Sequence, residues 1–190
     1  MLNKISLFIL SFLFVVSSVC VYAAEIEGVT FPMEKLVGEK MLKLNGLAVR
    51  KAMVFVKVFA GGFYLENPTS NAKEIIESEQ VKYFYLHYLT DKATGKKIQK
   101  GFIEHMEKTN SLELVKKHRS NIELYASWLD VDMKPGSTSE SIYIPEKGLT
   151  VIVNGIEKGT IQDKEFAQMY YRYSFGEKAD SKLRKGYLGL

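Results

Sequence analysis

Residues 44–67 read LNGLAVRKAMVFVKVFAGGFYLEN, an apolar stretch that carries one arginine and a pair of adjacent glycines. From residue 52 to residue 67, Val and Phe occupy both sets of alternating positions, which predicts a strand covered on both faces. Arg50 stands just before this run. An arginine cannot lose its charge, so burying it requires a partner carboxylate, a ring of carbonyl oxygens or an anionic ligand.

Two interpretations of Arg50 stay open on the residues alone. It is either a surface arginine paired with a nearby glutamate, or a group that holds an anionic ligand. Gly61 and Gly62 likewise either let a ligand or a neighbouring strand approach closely, or form a bulge that curves the sheet.

The N-terminal residues have the pattern of a secretory signal peptide. A positive charge precedes an apolar core at 5–16, and small residues lead to a cleavage site after Ala23. We expect cleavage there, export to the bacterial periplasm, and one domain over residues 24–190 with no stable membrane span. The alternative is an uncleaved membrane anchor, because residues 2–24 are nearly long enough to span a bilayer.

The composition points away from several classes of function. The single cysteine lies within the predicted signal, so we expect no disulfide and no thiol nucleophile in the mature domain. The net charge of +4 is spread along the chain, which is not typical of a nucleic-acid-binding patch. The three histidines are isolated, and phosphate-loop, dinucleotide and G-x-S-x-G motifs do not occur. We expect no metal, no cofactor and no nucleic-acid partner.

Strand and helix patterns are grouped along the chain and do not alternate regularly. Strands are predicted at 38–46, which ends in an Asn45-Gly46 turn, at 52–67 and 80–89, and as a hairpin at 139–161. Helices are predicted at 69–78, 94–110, 111–130 and 162–178, with a short last helix in the tail. This order predicts an α+β domain whose mostly antiparallel sheet is packed by helices on one face.

The order of motifs resembles the chalcone isomerase superfamily, in particular its exported bacterial members. The pattern G-x-x-x-R followed by F-x-K-V-(Y/F)-A-x-x-(L/F)-Y-L is matched from Gly46 to Leu65. The segments IYIPEKGLTVIVNGIEKGTIQDKEFAQMYYRYSFGEK and SKLRKGYLG are similar to the second half of that family. The resemblance extends from Val29 to Gly189. It implies an open-faced β-sandwich, a large antiparallel sheet layered with helices, with a ligand cleft between the layers.

The resemblance also implies a role for Arg50 at that cleft. The superfamily contains enzymes that close a chalcone into a flavanone and non-catalytic relatives that bind fatty acids. The matching arginine stabilises a phenolate in the first group and pairs with a carboxylate in the second. Threonines of the enzymes are replaced here by Phe59 and Tyr173, and no Tyr/Asn pair occurs on the first long helix.

These replacements favour a non-catalytic protein that binds a fatty acid or a similar small amphipathic anion. The expected ligand-binding residues are Arg50, Phe59, Gly61, Tyr83, Tyr85 and Tyr173. An isomerase acting on a chalcone-like enone is the alternative, with Arg50 as its only retained catalytic group. A third hypothesis is an envelope protein-interaction module that binds no ligand and uses surface aromatics such as Trp128. The sequence leaves the oligomeric state open.

Overall fold

The structure is a computed structural model that describes residues 22–52 and 55–190. Apart from its last two residues, the predicted signal peptide lies outside the described residues. The strands are β1 (Ala23–Ile26), β2 (Val29–Pro32), β3 (Glu34–Val37), β4 (Lys40–Ala52), β5 (Val56–Leu65), β6 (Lys82–Tyr88), β7 (Thr138–Ile144), β8 (Gly148–Val153) and β9 (Ile156–Ile161). The helices are α1 (Ala72–Glu77), α2 (Gly95–Thr109), α3 (Leu112–Lys117), α4 (Arg119–Trp128), α5 (Lys164–Phe175) and α6 (Ser181–Tyr187). Within the described segments, none of these helices has the length and hydrophobicity to cross a membrane.

Seven antiparallel strands form one curled sheet in the order β3-β4-β5-β6-β7-β8-β9. Each strand therefore pairs with its neighbour along the chain, even where helices intervene. β1 and β2 form a separate two-stranded hairpin. The predicted α+β class, with a large antiparallel sheet layered by helices, is confirmed.

β4 continues through the position where the sequence predicts a turn. Leu44 pairs with Tyr64 and Gly46 with Phe63, so Asn45 is an extra, bulged residue inside the strand. Its side chain donates to the Tyr187 carbonyl oxygen at 2.7 Å and accepts from a backbone N–H in the loop before α1 at 2.8 Å. The turn prediction is wrong because these tertiary hydrogen bonds hold an Asn-Gly pair in an extended strand.

Other boundaries also differ from the sequence prediction. The predicted helix at 111–130 is two helices, α3 and α4, divided at His118. The segment predicted as a hairpin contains three strands, with the marked Asn154-Gly155 turn joining β8 to β9. Strands β1, β2 and β3 are not predicted, since each is only four residues long and gives little periodic signal.

The two faces of the sheet are packed differently. The face that carries Phe63, Phe84 and Val151 forms the main core with α2, α4, α5 and α6. The opposite face carries a smaller cluster that includes Tyr64 and Tyr83. The helices thus cover one face, and the small cluster occupies the other.

Gly61 and Gly62 leave room for an aromatic side chain to pack closely on each face of β5. A Cβ atom on Gly61 would collide with the Tyr187 hydroxyl of α6, and one on Gly62 would lie 2.6 Å from Cδ1 of Phe31 in β2. Glycine in a strand often marks such a close approach. The groups that approach here are the protein's own side chains, which anchor α6 and the β1–β2 hairpin to the sheet.

Candidate ligand-binding site

A cavity of about 490 Å³ lies between the sheet and the helices. Its volume falls within the range of about 300–1,000 Å³ that is typical of small-molecule sites. Most of its wall is aliphatic or aromatic. The apolar lining includes Val56, Val58, Phe59, Phe84, Leu86, Ile98, Phe102, Leu129, Val151 and Leu183.

Small residues on β4 and α6 bring these two elements together beside the cavity. A Cβ atom on Gly46 would lie 2.7 Å from the Tyr187 carbonyl oxygen, and one on Gly186 would lie 2.9 Å from the Ala48 Cβ. Helix α6 therefore lies directly on β4. This packing places the residue that caps the start of α6, Asp180, beside Arg50.

A second irregularity in the β4–β5 pair shapes the cavity wall near Arg50. Arg50 pairs with Phe59 and Lys51 pairs with Lys57, so Val58 has no partner in the ladder. Val58 and Phe59 both line the cavity as a result of this bulge. Arg50 lies inside a strand opposite Phe59, which corrects the expectation that it precedes a strand.

Arg50 and Asp180 form an ion pair at the boundary between the cavity and solvent. The Arg50 side chain lines the cavity and is 41% exposed. Its Nη1 donates to Oδ2 of Asp180 at 2.6 Å. The Asp180 Oδ1 atom accepts from the backbone N–H groups of Lys182 and Leu183, at 3.0 and 3.1 Å. One carboxylate thus caps α6 and forms an ion pair with the arginine.

Backbone hydrogen bonds and the Arg50 charge together keep Asp180 ionised. Burial acts to raise the pKa of Asp180, but the Leu183 N–H and the Arg50 charge outweigh it and hold the pKa below its ordinary value. Arginine carries five N–H donors. A guanidinium that gives one of them to Asp180 therefore has donors left for a second anionic group.

His105 and Tyr173 lie next to this pair in the cavity wall. The His105 Nε2 atom is 3.0 Å from the Tyr173 carbonyl oxygen, so it carries the proton and donates this hydrogen bond. Burial lowers the pKa of His105, and the nearby Arg50 charge acts in the same direction. His105 is neutral at pH 7. Burial also raises the pKa of Tyr173 to about 12, against the effect of Arg50, so its phenol is protonated.

A second set of polar groups lines the cavity away from Arg50. Ser141 Oγ and the Tyr170 hydroxyl are 2.6 Å apart. Ser139 and Ser141 are 8% and 3% exposed. We call this set the hydroxyl cluster: Tyr88, Tyr125, Ser139, Ser141 and Tyr170, all of which line the cavity.

The hydroxyl cluster is uncharged at neutral pH. Burial raises the pKa of Tyr88 to about 12, although hydrogen bonding to Ser139 opposes it. Burial also raises the pKa values of Tyr125 and Tyr170. The cavity therefore has a charged end at Arg50 and a neutral polar patch elsewhere in its wall.

The cavity contains three of the six residues expected to bind a ligand. Arg50, Phe59 and Tyr173 line it. Gly61 does not, because the Tyr187 hydroxyl occupies the space in front of it.

The structure corrects the expected position of Tyr83 and Tyr85. The Tyr83 ring belongs to the small cluster on the opposite face of the sheet, where its hydroxyl donates to Glu140 at 2.7 Å and accepts from Lys35 at 2.6 Å. Tyr85 packs on that same cluster. On β6, the side chains that reach the cavity are Phe84, Leu86 and Tyr88.

The ligand-binding residues expected from the sequence do not include Asp180, His105 or the hydroxyl cluster. The local sequence does indicate Asp180 as a helix cap, since an Asp before a helical tail is a common N-cap. No local pattern indicates that Asp180 pairs with Arg50, because the two residues are 130 positions apart. Within residues 22–52 and 55–190, no group of side chains is arranged to hold a metal ion.

Comparisons with known proteins identify the family. A sequence profile described as chalcone isomerase-like matches residues 23–189. A search of curated protein sequences finds no significant match. Among solved structures, a fatty-acid binding protein from Arabidopsis thaliana has a similar fold, with a TM-score of 0.71 and 17% sequence identity over 88% of this chain and 96% of that chain. Since the profile spans nearly the whole described chain, this protein belongs to the chalcone isomerase-like family.

Proposed function

We propose that the protein binds a fatty acid, or a similar small amphipathic carboxylate, and does not transform it. The observation that carries this proposal is an apolar-walled cavity of about 490 Å³ with a guanidinium at its boundary with solvent. A structural neighbour that is named a fatty-acid binding protein supports the same class of ligand.

The two parts of such a ligand fit different parts of the cavity. The hydrocarbon tail would be removed from water against the apolar wall, at a gain of about 25 cal/mol per Å² of buried apolar area. The carboxylate would accept hydrogen bonds from the Arg50 donors that Asp180 leaves available. Lys92 and Lys97 also line the cavity, so further positive charge is available to attract the anion.

Replacing Arg50 tests the proposed anchor. We expect Arg50→Gln to weaken fatty-acid binding about 10- to 100-fold, since a hydrogen bond to a charged group contributes about 1.5–3 kcal/mol. Displacement of a fluorescent fatty acid gives the dissociation constants, and native mass spectrometry detects any acyl ligand that copurifies with the wild type.

Arg119→Gln is the matched control. Arg119 lies on the exposed surface of α4, where it pairs with Glu107 and Glu123, so its loss should leave the affinity unchanged. A wild type that binds no fatty acid, or an Arg50→Gln variant that binds as tightly as the control, would contradict the proposal. Loss of chalcone absorbance catalysed by wild type but not by Arg50→Gln would favour an isomerase instead.

We also propose that the protein is exported and cleaved after Ala23. β1 tolerates this cleavage: it removes the pairing of Ala23 with Pro32 but leaves the three pairs from Ala24 to Ile26. The mass of protein released from the periplasm measures the cleavage site, with Ala24 expected as the first residue. Recovery of an intact chain in the membrane fraction would show that the N-terminal segment is kept.

A further inference from the structure

The hydroxyl cluster lies in a different part of the cavity wall from Arg50. Arg50 is on β4, Tyr88 on β6, and Ser139 and Ser141 on β7. β6 and β7 are two and three strands away from β4 in the sheet. At the usual strand spacing these are separations of about 10 and 14 Å between backbones. A ligand bound at Arg50 and extending across the sheet would meet the cluster with its distal part.

Burying the hydroxyl cluster in an apolar wall costs free energy unless its members have hydrogen-bond partners. The members of the cluster supply these partners to one another: Ser141 Oγ and the Tyr170 hydroxyl are 2.6 Å apart, Tyr88 is hydrogen-bonded to Ser139, and Tyr125 is hydrogen-bonded to Tyr170. Each hydroxyl has one O–H donor and lone pairs that accept. Acceptor capacity therefore remains even when every O–H of the cluster is donated within it. This surplus suits a ligand group that can donate a hydrogen bond.

The cluster is also fixed in position. Ser139 and Ser141 project from β7, which is paired on both sides by β6 and β8. The Tyr125 and Tyr170 rings pack against each other with centroids 5.3 Å apart. A set of hydroxyls held by a central strand and packed rings is preorganised, so binding costs little ordering.

We infer that the cavity selects a fatty acid that carries a hydroxyl group on its tail, remote from the carboxylate, and that the hydroxyl cluster binds this group. The inference rests on the proposed function, because Arg50 fixes the carboxylate and thereby fixes which carbon lies at the cluster. The ligand hydroxyl donates to a Ser or Tyr oxygen that still has an acceptor lone pair. An unsubstituted tail leaves the cluster without this partner.

This arrangement makes the cavity discriminate by chemistry as well as by chain length. A site built to hydrogen-bond a ligand hydroxyl rejects the analogue that lacks it, because the protein groups then lose their water without gaining a partner. The positional requirement is strict, since only one range of chain lengths places the hydroxyl opposite the cluster.

Matched ligand pairs test the inference. Saturated fatty acids from octanoate to hexadecanoate are titrated into wild-type protein, each beside its ω-hydroxy derivative, by displacement of a fluorescent fatty acid. We expect the hydroxy acid to bind about tenfold more tightly than its unsubstituted partner at the matching length, as expected for one net hydrogen bond. At shorter lengths the preference should vanish, because the hydroxyl does not reach the cluster.

Variants of the hydroxyl cluster test whether it causes the preference for the hydroxy acid. The double variant Ser139→Ala/Ser141→Ala and the single variant Tyr170→Phe should both lose the preference, so that the hydroxy acid and its unsubstituted partner bind with equal affinity. Ser120→Ala, a serine on the exposed surface of α4, is the matched control and should keep the preference. Tyr170→Phe retains the ring, so it preserves the packing of the core if the double serine variant does not fold.

The outcomes separate the two proposals. Equal affinity within every pair would overturn this inference, while measurable binding that depends on Arg50 would leave the proposed function standing. A preference that survives in Tyr170→Phe and in the serine variant would also overturn it. Absence of binding to either acid of every pair would overturn the proposed function, and the inference with it.

Discussion

At the scale of single residues, the proposed anion binding depends on Arg50 and its ion pair with Asp180. Their ion pair joins β4 to the first turn of α6. Since both side chains are more than a third exposed, the pair is screened by water and holds the arginine only weakly. The ion pair therefore positions the Arg50 guanidinium but leaves some of its N–H donors available for another anion.

Removing the Asp180 charge should strengthen carboxylate binding. Asn caps a helix about as well as Asp, so Asp180→Asn keeps the start of α6 and removes the competing anion. We expect affinity for a fatty acid to rise about two- to fivefold, the equivalent of an exposed ion pair. Titration with a fatty acid measures the change. Asp180→Ala also loses the cap, and should lower the free energy of unfolding by about 1 kcal/mol. Weaker binding by Asp180→Asn would mean that the carboxylate positions Arg50 and does not compete for it.

Substitution of Gly61 tests how closely α6 packs on the sheet. We expect Gly61→Ala to lower the free energy of unfolding by about 1–3 kcal/mol, because its Cβ would overlap the Tyr187 hydroxyl and lie 2.8 Å from Leu86 Cδ2. Tyr187→Phe removes the hydroxyl, so the double variant should recover part of this loss in a double-mutant cycle measured by urea unfolding.

At a glycine with open space around it, substitution by alanine should change the free energy of unfolding in the opposite direction. Gly101 lies inside α2, and a Cβ atom added to it would have no neighbouring side chain within 4 Å. Gly101→Ala should therefore stabilise the protein by about 0.5–1 kcal/mol. Equal destabilisation by both alanine variants would show that the Tyr187 contact is not the cause.

At the scale of elements, α5 contributes Tyr170, Tyr173 and Ser174 to the cavity wall and is held at its start by a polar junction. Asp163 Oδ1 accepts from the Phe166 N–H at 3.0 Å and caps α5. Its Oδ2 lies 3.0 Å from His118 Nδ1, and the other ring nitrogen of His118 is 2.5 Å from Glu165. His118 is buried at the break between α3 and α4, so this junction ties three helices together.

Breaking the junction should cost more than losing an ordinary helix cap. Asp163→Ala removes the cap and one partner of a buried histidine, so we expect a loss of about 2–4 kcal/mol in the free energy of unfolding. Asn71→Ala removes only the cap of α1 and should cost about 1 kcal/mol. Urea unfolding compares the two. Similar losses in both variants would show that His118 adds little.

At the scale of the whole molecule, a ligand in this cavity contacts the sheet and the helices at once. Binding to the folded state alone stabilises a protein by about 2.7 kcal/mol when the free ligand is 100 times its dissociation constant. For a domain of this size we expect the Tm to rise by about 5–10 °C in one cooperative transition.

The same ligand concentration should stabilise Arg50→Gln much less. An affinity weakened about 10- to 100-fold leaves about 0.4–1.4 kcal/mol of ligand stabilisation. Differential scanning calorimetry with and without a fatty acid measures both shifts. Equal shifts in wild type and variant would show that the acid binds without Arg50.

Local patterns in the sequence are sufficient to predict much of the architecture. Caps at Asn71 and Asp163 mark the starts of α1 and α5, and both are seen in the structure. Along β6 the sequence alternates, so Tyr83 and Tyr85 share one face and Phe84 lies on the other, as the structure shows. The sequence does not say which of the two sets faces the helices, because alternation defines two faces and tertiary packing selects between them.

The candidate site is predictable only in part for the same reason. The residues alone require that a buried Arg50 has a partner, and the resemblance to a family places it at a cleft. Neither identifies Asp180, whose position depends on the contact of Gly46 and Ala48 with Gly186. Ser139 and Tyr170 are ordinary strand and helix residues until β7 and α5 bring their hydroxyls into one cavity.

The sequence by itself determined the α+β class, most of the element order, and the presence of an arginine that needs a polar or anionic partner wherever it is buried. These depend on periodicity, capping and charge, which act over a few neighbouring residues. Only the tertiary structure decided what Arg50 pairs with, which face of β6 lines the cavity, and where the hydroxyl cluster forms. Those features depend on contacts between residues far apart in the chain, which local patterns do not encode.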